Sequence, residues 1–83
     1  MLTKRQKDIR WELSRIRHDL KGAEREIIER KEMIDQEPDA NRRKFMRGIL
    51  RELCEWEKDS KQKVKDLEKE FDEIAMAMML LRE

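Results

Sequence analysis

The sequence predicts an all-α fold, an antiparallel two-helix coiled-coil hairpin that dimerises into a four-helix arrangement. Three observations predict it. Apolar residues recur at alternating steps of four and three through two long segments, which is the helical seam pattern. The chain's one proline, Pro38, lies between those segments in Asp35-Gln36-Glu37-Pro38-Asp39. Finally, 83 residues with 49% charged side chains, 5% aromatic and two glycines hold too little apolar material for a mixed α/β core. Disorder is the other way to read so polar a chain, but its charges nearly cancel at +1 and its apolar residues are regularly spaced, unlike a disordered segment.

The first helix is predicted over about residues 3–35. Thr3 followed by Gln6 has the capping-box spacing, in which each side chain satisfies a backbone N–H that the first turn leaves free. Ile9, Leu13, Ile16, Leu20, Ala23, Ile27 and Ile34 then form the seam, with Arg30 as its one charged member. The helix ends near Asp35, because proline disfavours helical backbone in the residue before it. A turn is expected over about 36–38, with Pro38 suited to the first position of a second helix and Asp39 to its first turn.

The second helix is predicted over about residues 38–82, the whole chain forming one domain. Its seam is Met46, Leu50, Leu53, Val64, Leu67, Phe71, Ile74, Met78 and Leu81, with Glu57 and Ser60 as polar members in register. Those two are either a register-setting layer or a loose stretch. Charge sets the orientation. Residues 1–21 hold seven basic and three acidic side chains, 22–39 three and seven, 40–51 five and none, and 52–83 six and ten. Folding back at Pro38 puts unlike blocks side by side, whereas a parallel pairing of two copies would oppose like blocks. Pairing about this turn sets Leu13 near Val64, Ile9 near Leu67 and Leu2 near Ile74. The segment after Ala75 then projects by on the order of 12 Å, at 1.5 Å per residue.

Two helices share only one seam, so a partner is expected, first a second copy and then another protein. The projecting end, Met76, Met78, Met79, Leu80 and Leu81, is apolar on every face and rich in adaptable methionine, which marks a binding surface. A second strip, Phe45, Ile49 and Trp56 with Met33 facing it, widens the apolar surface beside the seam, and Trp11 falls on the outer face near Arg10 and Arg15. The reading is a small non-catalytic protein–protein interaction module, acting sterically as an inhibitor, adaptor or assembly factor. Its size and composition suit a regulator encoded by a phage or mobile element. The alternative is a nucleic-acid-binding hairpin dimer that tracks phosphates with Arg42, Arg43, Lys44, Arg47 and Arg51.

Catalysis has little to build on. His18 is the lone histidine and falls outside the seam, and Cys54 has no histidine near it. No Glu-x-x-His pair projects inward to hold a metal, so neither metal nor cofactor is expected. The longest apolar run, Ile74 to Leu81, is far short of the roughly 20 residues that span a bilayer. With no signal peptide and one unpaired cysteine, a reducing, cytoplasmic setting is expected.

Overall fold

A computed structural model describes residues 1–82. It contains two α-helices, α1 (Lys4–Gln36) and α2 (Ala40–Arg82), that run antiparallel as a hairpin measuring 67 × 15 × 14 Å. Among the described residues there is no strand, and no helix is long and apolar enough to cross a membrane.

The capping box forms as the sequence predicts. The Thr3 N–H donates to Gln6 Oε1 at 3.0 Å, and the Gln6 N–H donates to Thr3 Oγ1 at 3.1 Å. Gln6 is also buried at 2% exposure, because it lies three residues before Ile9 and falls on the seam itself. The seam therefore starts one position earlier than its apolar members suggest. Its polar side chain is tolerated there because the cap occupies its oxygen.

The second helix starts later than predicted, at Ala40 instead of Pro38. The reason is Asp39, whose Oδ1 accepts the N–H groups of Asn41 at 2.8 Å and Arg42 at 3.4 Å. It acts as the N-cap and not as a first-turn residue, since a cap must leave helical backbone geometry to reach those donors. At the other side of the connection the Glu37 N–H donates to the Ile34 carbonyl at 3.2 Å, closing the last turn of α1. The linker is thus Glu37, Pro38 and Asp39.

A later start shifts the pairing at the free end. Ile9 and Leu67, and Leu13 and Val64, share one cluster as expected, but Leu2 lies beside Met78 and not beside Ile74. Ile9, Leu13 and Leu67 form a buried cluster, with Ile16, Val64, Phe71 and Ile74 against it. Met1 and Leu2 share an open groove with Ala75, Met78 and Met79, so the start of the chain reaches beside Met78. The unshielded end of α2 is correspondingly shorter than expected, by about one turn.

Burial is lopsided. In α1, Ile9, Leu13, Leu20, Ala23, Ile27 and Ile34 are all buried, whereas Leu67 is the only buried residue of α2. Met46, Leu50, Leu53, Val64, Phe71 and Ile74 are half-buried. One partner helix covers only part of the wide apolar stripe on α2.

Candidate interaction surfaces

Seam geometry divides the rod into two long sides. Residues just after each inward position line one flank, and residues just before line the other. In an antiparallel pair the equivalent flanks of the two helices adjoin. Two ion pairs between the helices fix this arrangement. Arg17 Nη2 lies 2.5 Å from Glu68 Oε1 on the first flank, and Arg5 meets Glu70 through Nε at 2.5 Å and Nη2 at 3.1 Å on the second. These pairs join the basic start of α1 to the acidic remainder of α2, as the charge blocks predict.

The fork from Arg5 to Glu70 has an electrostatic signature. Its hydrogen bond holds the Glu70 carboxyl below the ordinary carboxylate range and raises the Arg5 guanidinium further. Because the Glu70 value is depressed on folding, its small stabilising contribution is present above the ordinary carboxylate value of roughly 4.3 and is lost as pH falls through the lowered one. Arg5→Gln is expected to return the Glu70 titration, followed by side-chain NMR, toward the ordinary range. An unchanged midpoint would show that Arg5 is not the cause.

The first flank carries Lys7, Arg10, Arg17, Lys21 and Lys31 from α1. From α2 it carries Lys44, Arg47, Arg51, Lys58, Lys61 and Lys65, with Arg82 at the end. Against these twelve basic residues stand four acidic ones, Glu24, Asp35, Glu68 and Asp72. The second flank reverses the balance. Asp8, Glu12, Asp19, Glu26 and Glu29 of α1 and Glu52, Asp59, Asp66, Glu70 and Glu73 of α2 face only Arg5, Arg15, Arg42 and Lys63. A chain with net charge +1 is thus strongly bipolar across its width.

This division splits the basic cluster that the sequence places after the turn. Lys44, Arg47 and Arg51 stand on the basic side, Arg42 stands on the acidic side, and Arg43 is half-buried at the seam. Among the described residues none of the five makes an ion pair, although the acidic end of α1 is close in the fold. Reading the linear run missed the basic residues of α1 that join Lys44, Arg47 and Arg51 across the seam. Their signal was present as the two heptad positions that follow the inward ones in both helices.

The apolar surfaces fall elsewhere. Phe45, Ile49, Trp56 and Met33 gather on the acidic side near the turn, with Phe45 71% exposed and Ile49 half-buried. An open groove beside Trp56 and Leu53 is floored by Gly22 and Ala23, and another lies between Phe45, Gly48 and Ile49. At the free end Met76, Met79, Leu80 and Leu81 are exposed, while Met78 turns inward and is half-buried. Trp11 is exposed on the outer face with the Arg15 guanidinium 5.7 Å from its ring centroid, a stacking contact that occupies part of the ring.

His18 is exposed beside Arg10, Arg17 and Lys21, and Cys54 is a half-buried free thiol. Among the described residues no group of three or more histidines, cysteines or carboxylates is placed to hold a metal ion. Glu57 and Ser60 are half-buried, and Glu57 turns to Lys61 on its own helix at 3.6 Å. No family model, curated protein sequence or solved structure matches the chain.

Proposed function

We propose that this chain is a non-catalytic interaction module that works by steric occupation, as an inhibitor, adaptor or assembly factor, and that its first partner is a second copy of itself. The observation that carries the reading is the uncovered apolar surface of α2. Leu67 alone is buried on that helix, while Phe45, Trp56, Met76, Met79, Leu80 and Leu81 stand exposed. So much exposed apolar area on so slender a rod is the mark of an interface. Helix pairs of this kind close a core by adding further helices.

Sedimentation equilibrium tests the reading. Wild-type protein is expected to dimerise, and Met79→Glu with Leu80→Glu is expected to weaken that association by about tenfold or more, since each glutamate would have to be buried uncompensated. Both side chains are exposed in the hairpin, so helical content stays constant. Met78 is left alone because it packs beside Leu2 within the same chain. A wild-type protein that remains monomeric, or an unchanged dimer in the double variant, overturns the reading.

A further inference from the structure

Nothing inside the hairpin explains why its basic residues share one side. Of the twelve there, only Arg17 and Lys61 make ion pairs among the described residues. The remainder are exposed, and many are neighbours of like charge at helical spacing: Lys7 with Arg10, Arg47 with Arg51, Lys61 with Lys65. Each such neighbour pair destabilises a helix. A hairpin selected for its own stability would have mixed the signs.

We propose that this side binds a nucleic-acid duplex through its phosphates, without reading bases. Four observations select that ligand. The basic side runs from Lys7 and Arg82 near the free end to Lys31 and Lys44 near the turn, along a rod of 67 Å. A duplex of that length presents roughly 40 phosphates at one charge per 1.7 Å, a matching linear array. No exposed Phe or Trp stands on this side, since Trp11 is on the outer face, Phe45 and Trp56 are on the acidic side, and Phe71 is half-buried in the seam, edging a groove with Arg10 and Arg17. Single-strand binding relies on stacking successive bases against exposed aromatic rings, and beyond the lone His18 imidazole this side offers no such series.

The fourth observation concerns rival polyanions. A lipid surface would favour apolar residues able to enter the headgroup layer, and between the charged residues this side offers mainly Ile28 and Met79. The acidic side of a second hairpin would have to cover Phe45, Ile49 and Trp56 with lysines and arginines, which leaves that apolar strip poorly satisfied. The apolar strip and the basic side face opposite ways, so a copy seated on one leaves the other open.

Fluorescence anisotropy with a DNA duplex of about 30 base pairs, long enough to exceed the rod, tests the proposal. Wild-type affinity is expected to fall about a thousandfold or more between about 50 and 200 mM salt, the response of six or more phosphate contacts. Two variants of equal net charge then locate the surface. Arg10→Gln, Lys21→Gln, Arg51→Gln and Lys58→Gln together should weaken binding by about a hundredfold at moderate salt, having removed four contacts. Lys4→Gln, Arg25→Gln, Lys63→Gln and Lys69→Gln, all off this side, should change it by no more than about threefold. All eight residues are exposed, and circular dichroism checks that both proteins remain helical. The proposal is overturned by absent duplex binding or by equal losses in the two variants. It is also overturned by binding to phosphatidylserine vesicles in place of the duplex, or by a basic side that serves only to stack hairpins, seen as growing mass without nucleic acid.

Discussion

Leu67→Ala is expected to destabilise the hairpin strongly. Leu67 is the single buried residue of α2 and the point where Ile9 and Leu13 are sealed. Truncating a buried leucine costs about 2–5 kcal/mol, through lost transfer energy and the cavity left behind. At about 0.05–0.15 kcal/mol per residue, a chain of 83 residues has roughly 4–12 kcal/mol in total. A single-seam structure belongs near the lower end. The melting midpoint by circular dichroism, compared at one protein concentration, should drop by about 8 °C or more, given about 4–8 °C per kcal/mol in a domain of this size. Ile28→Ala is the control, because that side chain is 59% exposed, has little packing to lose, and lies outside the apolar surfaces proposed for association. A drop of only a few degrees at Leu67 would mean that the seam does not hold the helices together.

The opposite sign is expected at the middle of the rod. Glu57 and Ser60 occupy inward positions, and both are half-buried. Glu57 satisfies itself through Lys61 on the same helix, and among the described residues neither side chain hydrogen-bonds to α1. Such a layer adds no polar tie between the helices and leaves the buried Leu20 and Ala23 of α1 without apolar partners at those two positions. Glu57→Leu with Ser60→Leu should therefore raise stability by about 2 kcal/mol, two partly buried leucines each recovering about half of the 1.5–3 kcal/mol of full burial. The midpoint should rise by about 8–16 °C. A lower midpoint, or cross-links showing slipped pairing, would identify Glu57 and Ser60 as determinants of register.

Most of the architecture was legible in the residues. The alternating spacing from Ile9 to Ile34 and from Met46 to Leu81 gives two helices, and the charge blocks choose their antiparallel sense. Both follow from local periodicity, which a sequence states directly. The fine register was not legible, because it depends on whether Asp39 enters α2 or caps it, a choice made by one side chain's geometry. That choice moved Leu2 beside Met78 and shortened the free end. The bipolar cross-section was hidden for a different reason. Arg10 and Lys58 are distant in sequence, and they share a side only once the seam and the direction of α2 are known.

The hairpin is fastened most firmly toward its two ends. One fastening is the covalent connection through Glu37, Pro38 and Asp39; the other is the cluster of Ile9, Leu13 and Leu67 with the two ion pairs beside it. Between them Leu20, Ala23 and Ile27 of α1 stay buried, but α2 places the polar Glu57 and Ser60 at its inward positions. A beam clamped at both extremities and soft at its centre yields by bowing, so thermal motion should part the two strands of the beam midway before it frays them at the tips. The same compliance would let a straight rod adopt the curvature of whatever it lies against.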